Sequence, residues 1–293
     1  MKKTFRTVGI IGKLRDPSVA GRLTQLNQYL QSRGLAVLVE EATAQSLDLP
    51  TAPARPMETL GAEIDLAIVI GGDGTILRAV RQLAKHGVPT IGINLGRVGF
   101  LADISADEMT EEIGKILAGH GEIMPRMLLE AEVLRNGQRI HDALALNDVV
   151  ISKGELARLI EFETWLGGEF VSSARADGII VSTPTGSTAY ALSAGGPIVY
   201  PDLPAITLVP ICPHTLSQRP LVVPADNVVE IVMTGTAPGQ HAHVTFDGQT
   251  AIVLEDNDRV RVKRADIAAE LLHPAGRSHF EVLRTKLHWG RKL

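Results

Sequence analysis

The chain has 293 residues, 45% of them apolar and 21% charged, the balance of an ordinary globular protein, which excludes disorder as its dominant state. Thirty-three acidic against 29 basic side chains leave a formal charge of −4, which argues against a general nucleic-acid binder. One cysteine, Cys212, excludes an intramolecular disulfide and a multi-cysteine metal site, and indicates a reducing compartment.

The first third alternates strand-like and helix-like segments. Thr7 to Ile11 reads as a short buried strand, and Val19 to Arg33 as a helix with Leu23, Leu26 and Leu30 on one face. Gly34 stands where a helix cap is expected, and Leu35 to Glu40 returns to strand. Asp65 to Ile70 is a nearly unbroken apolar run, as a central parallel strand covered on both faces requires. Thr75 to His86 has helical spacing through Leu77, Val80 and Leu83, and Pro89 to Ile93 is again a strand. Strands separated by helices predict a doubly wound, Rossmann-like α/β domain.

After about Gly121 the pattern changes. Leu128 to Leu134 alternates, Asn136-Gly137 is a hairpin turn signal, and Arg139 to Leu146 follows as its return strand. Glu161 to Leu166, Gly167-Gly168 and Glu169 to Ser173 repeat the pattern, and Asp247-Gly248 and Asp256-Asn257-Asp258 punctuate later strands. This predicts a β-rich, sandwich-like second domain over 122–276. The first domain is expected over 1–121 together with the helical tail, 277–293. No apolar run approaches the ~20 residues that span a bilayer, and the stretch after Met1-Lys2-Lys3 is too short for a signal peptide, so no membrane partner and a cytoplasmic location are expected.

Three segments carry chemistry. In Ile70-Gly71-Gly72-Asp73-Gly74-Thr75, glycines at the end of a buried strand let the backbone approach a ligand, and the following helix aims amides at an anion. Asp73 in that loop either takes a proton from an attacking hydroxyl or holds a divalent cation against the phosphates. A tight turn with Asp73 or Thr75 as helix cap is the plain alternative. Neither G-x-G-x-x-G nor a P-loop occurs, since Gly92, Gly96 and Gly99 are wrongly spaced for the dinucleotide fingerprint.

The second segment runs from Asp177 to Pro197, where a strand ends in hydroxyl-rich, glycine-containing chain and enters a short helix that Gly195 stops. It offers neutral donors and the flat face of Tyr190, which suits a nucleoside. The third is Asn147-Asp148. An Asn side chain pairs with adenine through one donor and one acceptor, and an Asp beside it accepts from ribose hydroxyls; alone, the pair also reads as a turn. The nine histidines form no H-E-x-x-H or comparable cluster, so no dedicated metal site is expected. Cys212, between Ile211 and Pro213, is expected to be a small buried packing residue.

Together these segments resemble the NAD kinase family, bacterial type, over essentially the whole chain. The resemblance extends to Pro213-His214-Thr215-Leu216, Leu271-Leu272-His273-Pro274 and the tail Lys286-Leu287-His288-Trp289. The Gly-Gly-Asp-Gly element is shared with related lipid kinases and phosphofructokinases, whereas Thr183 to Tyr190 joined to Asn147-Asp148 is more diagnostic. The resemblance implies ATP-dependent phosphorylation of the 2′-hydroxyl of the adenosine ribose of NAD, yielding NADP and so setting the NAD/NADP balance. It also implies a divalent cation, Mg²⁺, carried with ATP. Asp73 would be the proton acceptor and Gly74 part of the nucleotide contact. Adenine and ribose would meet Asn147 and Asp148. The rest of NAD would meet Arg175, Asp177, Thr185, Thr188, Ala189, Tyr190, Ala191, Leu192 and Ser193, with Gln249 at a further binding position. Many members have Glu where Asp148 stands, and relatives often have His at the binding position of Arg158. The family also implies self-association, as a homodimer or homotetramer. A lipid or sugar kinase of the same superfamily would keep Asp73 but has no use for Asn147-Asp148 and Tyr190. A dinucleotide sensor would keep the binding segments and dispense with Asp73.

Overall fold

The computed structural model describes residues 4–14, 16, 18–47, 52–96, 99–102, 104–154, 158–235 and 241–289. The chain divides into two units, Met1–Pro125 with Ala269–Leu293, and Arg126–Ala268.

The first unit begins with β1 (Thr7–Gly12), α1 (Ser18–Ser32), β2 (Ala36–Glu40), α2 (Glu41–Leu47), β3 (Ala54–Arg55) and α3 (Met57–Glu63). It continues through β4 (Leu66–Ile70), α4 (Asp73–Leu83), β5 (Thr90–Asn94), β6 (Ile104–Ser105) and α5 (Met109–Leu117). Its strands are parallel in the order β3-β2-β1-β4-β5, with β6 beside β5. The chain starts in the middle of the sheet and winds out to both sides, the doubly wound pattern predicted from the alternation of strands and helices. All five residues of β4 are buried, because β1 and β5 flank it and helices cover its faces. Helix α1 supplies Val19, Leu23, Leu26 and Leu30 to the core, and Gly34 follows with φ of +77°. The predicted helix from Thr75 begins two residues earlier. Gly72 is extended and caps it, so Asp73 stands in the first helical turn rather than mid-loop.

A buried ionic cluster ties this sheet to α4. Glu40, at the end of β2, is 1% exposed and takes both Arg78 guanidinium nitrogens in a fork, with Nη2 3.0 Å from Oε2. The Thr43 hydroxyl donates to Glu40 at 2.5 Å and accepts from the Gly12 amide at 3.0 Å.

The second unit contains β7 (Gly121–Arg135, from Arg126 onward), β8 (Gln138–Ala145), β9 (Asp148–Lys153), β10 (Ile160–Leu166), β11 (Glu169–Ala176) and β12 (Gly178–Ser182). A short helix, α6 (Tyr190–Ser193), separates these from β13 (Ala205–Ile211), β14 (Leu221–Pro224), β15 (Val229–Gly235), β16 (Ala242–Phe246), β17 (Thr250–Leu254) and the first part of β18 (Arg259–Pro274). One antiparallel sheet runs β14-β13-β12-β9-β16-β17; the other joins β11, β10, β15 and β18, with β7 and β8 alongside. Residues of both sheets, among them Ile151, Leu208 and Phe246 on one side and Phe162 and Ile231 on the other, share one core, so the unit is a sandwich. The predicted hairpin corners adopt left-handed conformations: Asn136-Gly137 (φ +52° and +76°), Gly167-Gly168 (+57° and +87°) and Asp247-Gly248 (+51° and +64°). Strand β9 alternates. Val149 and Ile151 face the shared core, while Val150 joins Ile180, Val209 and Ala191 of α6 on the opposite face. That packing seats α6 and the chain before it against β9 and β12.

The tail forms α7 (His279–Leu287), whose N-cap Ser278 accepts from the Glu281 amide and which belongs to the first unit. Cys212 departs from expectation. It is exposed with φ of +44°, because it lies just beyond the end of β13 where the chain turns away from the sheet.

Replacing Arg78 by Met strands the buried Glu40 charge. Arg78→Met is expected to cost about 3–5 kcal/mol in a denaturant titration, and Arg78→Met with Glu40→Gln to recover part of it. A single-variant loss under about 1 kcal/mol contradicts this role.

Candidate functional site

The first part of the site is the corner where β4 passes into α4. The Gly71 amide still pairs with the Ile93 carbonyl at 2.9 Å, finishing the β4–β5 ladder. A Cβ on Gly71 would fall 2.6 Å from the Thr75 hydroxyl, so Thr75 folds back over a glycine. Gly72 and Gly74 differ: a Cβ there would meet nothing within 4 Å, which leaves the backbone of the corner open to approach. The half-buried Asp73 carboxylate accepts from the Phe100 amide at 3.1 Å and the Leu101 amide at 3.3 Å. It crosses the bare face of Gly99, where a Cβ would lie 2.0 Å from Oδ1. The segment holding Asp73 is itself anchored, since Arg277 donates to the Phe100 carbonyl at 3.0 Å while its other terminal nitrogen lies 2.7 Å from Nδ1 of the buried His273. The same nitrogen lies 3.0 Å from Nε2, and since a guanidinium has only donors, a ring nitrogen of His273 accepts.

The second part lies in the sandwich unit. In the ladders of β9, Ser182 of β12 lies opposite Asp148, and Phe246 of β16 opposite Val149. The residue after Phe246, Asp247, therefore comes up beside Asp148. The Thr183 hydroxyl donates to the Leu146 carbonyl at 2.6 Å and the Thr183 amide to the Asn147 carbonyl at 2.8 Å. Gly186 lies so close that a Cβ would be 2.1 Å from the same Asn147 oxygen. Asn147-Asp148 and the segment Thr183 to Ser193 thus form one surface, with Tyr190 47% exposed on α6 and Ala191 buried beneath it. Asp148 is 5% exposed, and burial, then the neighbouring Asp247 charge, pushes its carboxyl up to about 7.

Two family models match the chain: the ATP-NAD kinase N-terminal domain over 8–121 and the ATP-NAD kinase C-terminal domain over 146–273. The chain belongs to the NAD kinase family. It is 49% identical to an NAD kinase of Aromatoleum aromaticum over 99% of this chain and 96% of that one. It is 47% identical to an NAD kinase of Thiobacillus denitrificans over the full length of both. Among solved structures it is similar to yeast NADH kinase complexed with NADH (TM-score 0.88, 26% identity, 100% of this chain and 90% of that one). It is also similar to an NAD kinase from Archaeoglobus fulgidus in complex with ATP (TM-score 0.75, 27% identity, 96% of this chain and 98% of that one).

Of the residues singled out from the sequence, Asp73 and Gly74 belong to the first unit and the others to the sandwich. Within the sandwich, Asn147, Asp148, Thr185 and Thr188 to Ser193 cluster as described. Asp177 pairs with Lys153 at 2.6 Å, and Arg175, on β11, pairs with Glu161 at 3.0 Å across to β10. Arg158 is exposed between β9 and β10, and Gln249 is exposed in the β16–β17 hairpin, where its amide donates to the Phe246 carbonyl at 3.0 Å. Sequence reasoning missed Gly99, Asp247, Arg277 and the buried His273. Asp247 was read only as a turn residue, and the one signal available was its place one residue beyond a strand end.

The raised Asp148 carboxyl makes stability depend on pH with a definite sign. Its folded value lies above its ordinary 3.8, so its contribution is complete below about pH 3.8 and lost as pH rises toward 7. Asp148→Asn removes that dependence. Denaturant titrations of the ligand-free protein should show the variant gaining on the order of 2–4 kcal/mol over the parent between pH 4 and pH 8. A difference that stays constant across that range contradicts the assignment.

Proposed function

We propose that this chain transfers the γ-phosphoryl group of ATP to the 2′-hydroxyl of the adenosine ribose of NAD, giving NADP and ADP and so setting the NAD/NADP balance. The observation that carries the reading is Asp73: a carboxylate at the head of a helix, in a glycine corner open to a ligand and held in place by the amides of Phe100 and Leu101.

Phosphoryl transfer asks for alignment and charge neutralisation more than for covalent work by the protein. Asp73 accepts the proton of the 2′-hydroxyl as its oxygen bonds to the γ-phosphorus and the bond to the β-phosphate oxygen breaks, ADP leaving with that electron pair. The substrate is ATP carrying Mg²⁺. Mg²⁺ is ordinarily held by one or two carboxylates and the phosphates of its substrate, so the cation is assigned to the nucleotide. The first unit serves the chemistry through Asp73, with Gly74 part of the nucleotide contact. The sandwich binds NAD, with Asn147 on adenine and Asp148 on ribose hydroxyls. Asp177, Thr185, Thr188 to Ser193 and Gln249 contact the remainder, and the face of Tyr190 is a stacking surface.

The same reading takes the protein to be a cytoplasmic homodimer or homotetramer, with Arg158 or Arg175 reaching the ligand of a neighbouring chain, where a guanidinium suits a pyrophosphate. Among the described residues no helix is long and apolar enough to cross a membrane. Exposed apolar side chains at Tyr200, Leu203, Leu221 and Val222 favour self-association through the sandwich. Light scattering should return two or four times the mass of one chain; a fully active species of single-chain mass contradicts the assembly.

Incubation with NAD and Mg²⁺-ATP, read by a dehydrogenase specific for NADP, should report turnover. Asp73→Asn, nearly isosteric and able to keep one amide contact, should remain folded by circular dichroism and lose about 10²–10⁴ in turnover. Undiminished turnover in the folded variant removes Asp73 from the role of base.

A further inference from the structure

Asp247 does more than turn a hairpin. Its Oδ1 accepts from the amides of Asn147 at 2.7 Å and Asp148 at 3.2 Å, and its Oδ2 from the Leu146 amide at 3.0 Å. Its own amide donates to the Asp148 carbonyl at 3.0 Å. The carbonyls of Leu146 and Asn147 are taken from the other side by Thr183, with the Ser182 hydroxyl 3.3 Å from the latter. Main-chain donors and acceptors from Leu146 through Asp148 are therefore satisfied, which leaves the side chains of Asn147 and Asp148 as the turn's free recognition groups. A hairpin corner needs none of this: Asn136-Gly137 and Gly167-Gly168 make left-handed corners in the same unit without a carboxylate.

The arrangement also has a cost. It places a second carboxylate beside the buried Asp148, and like charges at such range oppose one another. Of the groups facing Asp148, Asp247 acts on it by charge. Ser182 lies opposite Asp148 on β12, the Ser182 and Thr183 hydroxyls are spent on backbone carbonyls, and His141 of β8 packs on Phe246 in the shared core, on the other face of β9. An apolar or amide side chain at the corner would avoid the repulsion.

We propose that Asp247 is a positioning residue for NAD recognition, fixing the turn that presents Asn147 and Asp148. This rests on the reading that Asn147 and Asp148 contact the adenosine of NAD. Ribose hydroxyls donate to an ionised carboxylate, so NAD binding draws the proton off Asp148 and tightens as pH rises through about 7.

The test is calorimetric titration of the full-length protein with NAD from pH 5.5 to 8.5, for the parent, Asp148→Ala, Asp247→Asn and Asp247→Gly. Asparagine and glycine both tolerate the left-handed backbone at this corner, so the variants alter the carboxylate with little backbone strain. Parent affinity should rise roughly tenfold between pH 6 and pH 8. Asp247→Asn should move the midpoint down by about one pH unit, and Asp247→Gly should weaken NAD binding about tenfold at pH 8 with the KM for ATP unchanged. If Asp148→Ala binds NAD as the parent does, the adenosine reading fails. If Asp148→Ala weakens NAD but both Asp247 variants keep the parent's affinity and midpoint, or only melt earlier, Asp247 is a hairpin corner and the proposal is overturned. Should the glycine variant not fold, the shift of midpoint in Asp247→Asn decides.

Discussion

A carboxylate drawn partly out of water must find donors, and in this protein the two that matter most find them in backbone amides from distant parts of the chain. Asp73 takes the amides of Phe100 and Leu101, and Asp247 those of Leu146, Asn147 and Asp148. Amides belong to the main chain and cannot swing away like a lysine, so each carboxylate is fixed as firmly as the strands and loops that present them. Each neighbourhood also has a missing side chain. Gly99 lets Asp73 pass within what would be 2.0 Å of a Cβ, and Gly186 lets the Thr183 segment press on the Asn147 carbonyl. A methyl group at Gly99 displaces the Asp73 carboxylate, and one at Gly186 forces the local backbone apart.

The fold explains why these segments meet. In the first unit, parallel strands β4 and β5 are neighbours, so the loops at their ends lie side by side and the loop after β5 can present its amides to the residue that opens α4. In the sandwich, antiparallel register does the same work, setting Ser182, Asp148 and the residue following Phe246 in one row across β12, β9 and β16. A slip of one residue in either ladder would exchange the faces of β9, turning Val149 and Ile151 out of the core. The apolar alternation that stabilises the sandwich is thus also what holds the Asn147-Asp148 turn in position.

Periodicity made the architecture legible. The buried run Leu66 to Ile70 within the predicted strand, the spacing of Leu23, Leu26 and Leu30, and three turn signals with left-handed backbone all matched the structure. Asp73, Asn147-Asp148 and the hydroxyl-rich segment stand out as candidates because their chemistry is local: glycines beside a carboxylate, an amide beside an acid. The supports were not. Asp247 looks like any Asp-Gly corner until the register shows which amides it faces, and those lie about a hundred residues earlier in the chain. Arg277 and His273 likewise act on Phe100 from near the C-terminus. Cys212 was misjudged because apolar neighbours in sequence do not reveal that the strand has just ended.

In the proposed reaction a carboxylate fixed by backbone amides receives the proton of the hydroxyl being phosphorylated. The most direct measurement is a crystal structure of the assembled enzyme with NAD and an unreactive ATP analogue. An Asp73 carboxylate oxygen is expected within about 2.6–3.2 Å of the adenosine 2′-hydroxyl, with at least one of the Phe100 and Leu101 amides still donating to that carboxylate. A 2′-hydroxyl bonded to some other acceptor, with Asp73 out of reach, contradicts it.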